Sequence, residues 1–98
     1  MDYLNYQLKD YVTNTDTNIE GVKLFCLLDN LISNSEVFIL EIENDMSLSS
    51  SFLNSSFGNI IDKYGFINLK NHLKIKTNKS QFGRISNYLN KYNELYHK

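Results

Sequence analysis

The chain has 98 residues, of which 42% are hydrophobic and 21% charged, with a formal net charge of −1. That is the composition of one globular domain spanning 1–98, small but able to fold alone. The near-neutral balance excludes an electrostatic pull toward nucleic acid. No apolar stretch approaches a membrane span, and Met1 leads straight into Asp2-Tyr3-Leu4 without a leader, so no membrane association and a cytoplasmic location are expected.

The segment Tyr3 to Val12 alternates, with Leu4, Tyr6 and Leu8 set against Asn5, Gln7 and Lys9. It predicts a half-exposed strand at or near a sheet edge. Asn14 to Asn18 reads as a polar turn, and Thr17 with Glu20 forms a capping-box pattern. Val22, Leu24, Phe25, Leu27, Leu28, Leu31 and Ile32 then make the wide apolar stripe of a helix covering the sheet. Gly21 falls in its first turn, where a missing side chain costs least. The single cysteine, Cys26, excludes an internal disulfide and, between Phe25 and Leu27, reads as a buried small hydrophobe. Ser33-Asn34-Ser35 ends the helix.

Val37, Phe38, Ile39, Leu40 and Ile42 form a nearly continuous apolar run, the signature of a strand buried on both faces. Past Glu43, Asn44 and Asp45 the chain enters a serine-rich turn, Ser47 to Ser51. Leu53, Phe57, Ile60, Ile61 and Tyr64 then recur at helical spacing, and Gly65 stands where a C-terminal cap belongs. Ser49, Ser50 or Ser51 can supply the N-cap. Two readings of the turn stay open: a capped helix start with a solvated loop, or an anion site formed by hydroxyls at a helix N-terminus. Small Ser55, Ser56 and Gly58 suit close packing. Phe66-Ile67 looks extended, and Leu73-Lys74-Ile75-Lys76 alternates apolar with basic as a further strand. Asn78 and Gln81 make a weaker capping box ahead of a last helix marked by Phe82, Ile85, Tyr88, Leu89, Tyr92, Leu95 and Tyr96. Its tyrosines either pack with their hydroxyls at the rim or form a partner surface. The order β-α-β-α-β-α predicts an α/β sandwich in which a mixed sheet is covered by helices.

Leu40-Glu41-Ile42 followed by Ser49-Ser50-Ser51-Phe52-Leu53 resembles the strand–turn–helix core of STAS domains, the fold of anti-sigma factor antagonists. More specifically the chain is similar to the STAS-like family of unknown function. The resemblance takes in Glu20-Gly21 before the strand and Asn71-His72-Leu73-Lys74-Ile75 after it. It implies a non-enzymatic regulatory module that meets a protein partner, often an ATPase-type kinase or anti-sigma factor, at the turn. STAS antagonists carry Asp-Ser-Ser/Thr-Gly-Leu there, with the first hydroxyl residue phosphorylated. On that motif Ser50 takes the phosphorylated position, Ser49 replaces the Asp and Phe52 the Gly. The partner-binding candidates are therefore Ser50, Ser49, Ser51, Ser47, Asp45 and Asn54.

Nothing in the sequence points to catalysis, a cofactor or a metal. His72 and His97 lie on different elements, with no Cys or carboxylate at ligand spacing around either. Cys26 has no adjacent base. Glu41 and Glu43 sit one strand period apart, too common an arrangement to signal acid–base work without a pocket. The alternatives to a protein-binding module are a small-ligand or nucleotide sensor using the same turn, and an inhibitor of a host system encoded by a phage or mobile element. The lack of proline with abundant Asn, Lys and Ile fits the AT-rich coding of such an element.

Overall fold

Three short strands and the helices linking them make up the structure, a computed structural model that describes residues 3–96. Strand β1 (Leu4–Gln7) runs into a 3-10 turn (Leu8–Asp10), and α1 (Asn18–Ser33) leads to β2 (Phe38–Glu41). A continuous helical run follows: α2 (Ser50–Leu53), a π-helical segment (Asn54–Gly58) and α3 (Asn59–Tyr64). Then come α4 (Phe66–His72), β3 (Leu73–Lys76) and α5 (Lys79–Tyr96). No helix among the described residues is long and apolar enough to cross a membrane.

All three strands are parallel, in the order β1-β2-β3, with Leu4 and Leu73 flanking Phe38 and with Tyr6 and Ile75 flanking Leu40. The expected mixed sheet is thus corrected to a parallel one over the described residues. Since each strand is followed in space by the next, crossovers of one hand place every linking helix on the same face. Indeed α1 packs against the π segment, α2, α3 and α4, and α5 against the π segment. On that face Phe38, Leu40, Ile42 and Leu73 are buried. The other face, made by Asn5, Gln7, Ile39, Glu41, Lys74 and Lys76, carries no helix among the described residues. Val37, Ile39 and Glu41 are accordingly half-buried. The expectation of burial on both faces of Val37–Ile42 fails because, among the described residues, the helices cover only one face of the strand.

The sequence reading also changes at three other places. The half-exposed first strand stops at Gln7, and Leu8 turns into the core through the 3-10 turn. Where Phe66-Ile67 looked extended there is a helix, α4. Gly65 adopts φ +91°, which L side chains rarely tolerate, so α3 can end and α4 begin without a connecting loop. Within α4 only Leu69 is fully buried, too little apolar repetition for its period to show. Cys26 is exposed: it shares the outer face of α1 with Ile19 and Val22, opposite buried Leu24, Leu28 and Leu31.

Gly21 has a different role from a tolerated gap in a first turn. A Cβ there would collide with Ser55 Oγ and come within 2.7 Å of the Phe52 carbonyl oxygen. The helical run therefore approaches α1 to backbone contact, and the π segment lies at that contact. Ser55 Oγ donates to the Ser51 carbonyl at 2.8 Å and buried Ser56 Oγ to the Phe52 carbonyl at 2.7 Å. These hydroxyls satisfy carbonyls of the preceding turn, where the regular i→i−4 ladder is interrupted. Farther along, Asp29 of α1 accepts Lys63 Nζ at 2.8 Å and Tyr64 Oη at 2.5 Å. The lysine, then the tyrosine, hold its carboxyl below the usual range.

Candidate functional site

In a parallel sheet the loops that leave the strand ends gather along one edge, and here the loop after β2 is fastened by both neighbours. From the β1 side, Thr15 Oγ1 donates to the Ser47 carbonyl at 2.7 Å, and the Ser49 amide donates to the Thr15 carbonyl at 3.0 Å. From the β3 side, Gln81 Nε2 donates to the carbonyls of Glu43 (3.0 Å) and Met46 (2.6 Å). Asn78 Nδ2 reaches Asn44 Oδ1 at 3.2 Å, and Arg84 Nη2 reaches the Leu48 carbonyl at 3.0 Å. Leu48 itself is buried and pins the loop to the core. A polar loop held in this way presents a fixed surface, so a partner meets it at little ordering cost.

Among the serines the N-cap is Ser49, whose Oγ accepts the Phe52 amide at 3.1 Å. That leaves Ser50, the first residue of α2, exposed and without capping duty, alongside exposed Ser47, Ser51, Asp45 and Asn54. Ser47 nonetheless gives its carbonyl to Thr15, and Ser51 gives its carbonyl to Ser55. The structure thus brings Ser47, Ser50, Ser51 and Asn54 to one corner of the molecule as side chains open to solvent, while Ser49 is committed to the fold. Ile19 and Val22, in the first turns of α1, are also exposed (70% and 47%), on the outer face of that helix.

The capping boxes are only half formed. Thr17 Oγ1 accepts the Glu20 amide at 3.3 Å, but the Glu20 carboxylate turns outward from the box to take the Thr13 amide at 2.6 Å. Lys23 Nζ lies 2.6 Å from its other oxygen. That lysine, followed by the Thr13 amide, depresses the Glu20 carboxyl to about 2. Glu20 thereby shapes the 13–16 loop whose Thr15 clamps the turn. Likewise Asn78 caps α5 through the Gln81 amide at 2.8 Å, while the Gln81 side chain serves the β2 loop instead. Sequence reasoning missed Thr15, Gln81 and Arg84. The last two could be suspected only once α5 was known to follow β3 without a long loop, and Thr15 has no local signal.

Beside the turn, a cleft of about 330 Å³ lies between the ends of β2 and β3, lined by Glu41, Glu43, Asn44, Lys76, Thr77 and Asn78. Its lining is of mixed sign, two carboxylates and the Lys76 ammonium. Glu43 pairs with Lys9 at 3.6 Å, and Glu41 lies opposite Lys76 in the ladder. No group of three His, Cys, Asp or Glu side chains converges among the described residues. His72 Nδ1 sits 2.7 Å from the Asn68 carbonyl at the end of α4, and His97 lies outside the described residues.

The tyrosines of α5 divide. Tyr88 and Tyr92 are half-buried and stack at 6.0 Å, and Tyr96, exposed, lies 4.7 Å from Tyr92. Tyr92 Oη donates to Asp62 at 2.9 Å. Burial pushes the Tyr88 phenol up to about 12; burial and then the Asp62 carboxylate do the same to Tyr92. The first two tyrosines pack as core margin, and only Tyr96 is free to face a partner.

A family model described as STAS-like domain of unknown function (DUF4325) matches residues 20–81. That span takes in the turn with Glu20 and Gln81, while Thr15 and Arg84, which also hold the loop, lie outside it. No curated protein and no solved structure matches the chain.

Proposed function

The chain belongs to the STAS-like domain family of unknown function, and from that premise we propose that it is a non-enzymatic regulatory module that binds a protein partner through the turn at Ser47–Ser51. The observation carrying this reading is the corner itself. Exposed Ser47 sits on a loop clamped from both sides, and exposed Ser50 and Ser51 open the helix into which that loop runs. Polar groups fixed on a rigid scaffold can be met by a protein partner at little ordering cost. Ser50 is the residue through which such binding would be regulated. It caps nothing, so adding a phosphate would leave the fold intact while changing the local charge by about −1.5 to −2.

A nucleotide or small-anion sensor is less well supported. Ligand crevices in parallel sheets form where strand order reverses, and the order β1-β2-β3 has no reversal. The cleft beside the turn is of mixed charge, Glu41 and Glu43 with Lys76, so it offers a phosphate no cationic cradle.

The test is binding of the purified partner, captured from the native cell, to wild type, Ser50→Ala and Ser50→Asp. Ser50→Ala should bind as wild type does, and Ser50→Asp should bind more weakly. Equal affinities for all three would remove the turn from the interface.

A further inference from the structure

The net charge of −1 conceals a sharp asymmetry. Between Asp62 and Glu94 the chain has no acidic residue, yet it carries Lys63, Lys70, Lys74, Lys76, Lys79, Arg84 and Lys91. Lys63 is paired with Asp29, but Lys70, Lys74, Lys76 and Lys79 form no ion pair among the described residues. Lys70 instead lies over the Phe66 ring, 5.3 Å from its centroid. These lysines surround β3, and β3 is an edge strand.

The edge is open in a defined way. Ile42 donates its amide to the Lys76 carbonyl at 2.9 Å, so the Lys76 backbone faces β2. Along a parallel strand the backbone groups alternate sides, which turns those of Ile75 outward, with no further strand beyond them among the described residues. Side chains alternate as well. Leu73 and Ile75 project to the helix side, where with Phe66, Leu69, Phe82 and Ile85 they line an apolar groove of about 200 Å³. Lys74 and Lys76 project to the open face.

We propose that the β3 edge and this groove receive an extended acidic segment of a partner protein, added to the sheet as a further strand. Its residues would alternate, apolar side chains entering the groove beside Leu73 and Ile75, carboxylates meeting Lys74 and Lys76 on the other face. Lysines on an edge discourage pairing with neutral or basic strands, and the same charges select an acidic one. A second copy of this chain fits poorly. Pairing β3 with itself would oppose lysine to lysine, and β1 offers Leu4–Gln7, which contains no charge to answer them. The groove shares no residue with Ser47–Ser51, although Lys76 also borders the cleft beside the turn, and the proposal does not depend on the role of those serines.

The test uses the full chain, labelled with nitrogen-15, titrated with a short synthetic peptide that alternates Glu with Val or Phe. Saturable amide shifts at Ile75 and Thr77, with slowed hydrogen exchange at Ile75, are expected. The Lys74→Glu, Lys76→Glu double variant should bind this peptide more than about tenfold more weakly, the effect of losing close charge pairs. It should instead prefer the same peptide with Lys in place of Glu. Phe82→Ser, at a side chain 49% exposed and so tolerated by the fold, should also weaken binding. The proposal is overturned if Ile75 shows no saturable shift, or if wild type binds the Lys peptide equally well. It is overturned too if polyglutamate without apolar residues binds equally well, or if a single-stranded oligonucleotide binds the same residues more tightly. Concentration-dependent self-association abolished by Phe82→Ser would assign the edge to a second copy and overturn it as well.

Discussion

Substituting alanine for glycine in a helix usually stabilises it, and this fold contains two helical glycines at which the same change should act in opposite directions. At Gly83 in α5 an added Cβ meets nothing within 4 Å. Gly83→Ala should therefore gain the propensity difference of about 1 kcal/mol. At Gly21 in α1 the new methyl would strike Ser55 Oγ and lie 2.7 Å from the Phe52 carbonyl oxygen. The serine hydroxyl can rotate away, at the expense of its bond to the Ser51 carbonyl, but the Phe52 oxygen belongs to the backbone and also accepts Ser56 Oγ. Relief then requires the helical run to move away from α1, and overpacking of this kind costs about 1–3 kcal/mol. That exceeds or cancels the helix gain of about 1 kcal/mol, leaving Gly21→Ala about 0–2 kcal/mol less stable than wild type. Urea unfolding at equal m-values measures both variants on one scale. A Gly21→Ala protein as much stabilised as Gly83→Ala would refute the close approach of the two helices.

Ser49→Ala should lose about 0.5–2 kcal/mol with its cap while Ser50→Ala stays near zero, a contrast readable from paired thermal melts. Tyr88 Oη is buried with no hydrogen-bond partner among the described residues, so Tyr88→Phe should raise stability by about 1 kcal/mol in urea titration; a loss would mean the hydroxyl is bonded. The Glu20 carboxyl is held at about 2 against an ordinary 4.5. Its contribution is complete above that ordinary value and is lost as pH falls toward 2, so Glu20→Gln should flatten the stability–pH curve in this acid window. An unchanged slope there would contradict the pairing of Glu20 with Lys23 and the Thr13 amide.

Much of the order of elements is legible in the sequence because strong periods mark it: Leu24, Leu28 and Leu31 in α1, Phe57, Ile60 and Ile61 in the middle helix, Ile85 and Leu89 in α5. What escapes the sequence depends on neighbours. Val37–Ile42 reads as a two-sided strand because Ile39 is apolar, and the number of helical layers that could cover it is a global property. Gly21 reads as a tolerated gap because its partner Ser55 is far along the chain. At the turn, the serines stand out in the sequence, but which of them is the cap depends on where the first helical hydrogen bond falls. The clamps from Thr15, Gln81 and Arg84 come from other elements and leave no local mark. The open edge of β3 is visible only once the strand order is known.

The role of the serine corner is tested most directly by photocrosslinking in the native cell, with a photoreactive residue replacing Ser50 in one strain and Glu36 in another. Glu36 is exposed but precedes β2, at the opposite end of the strand from the turn. The prediction is one protein adduct formed from position 50 and absent from position 36. Adducts of equal yield from both positions, or none from position 50 while the protein is folded and present, would contradict a partner-binding corner.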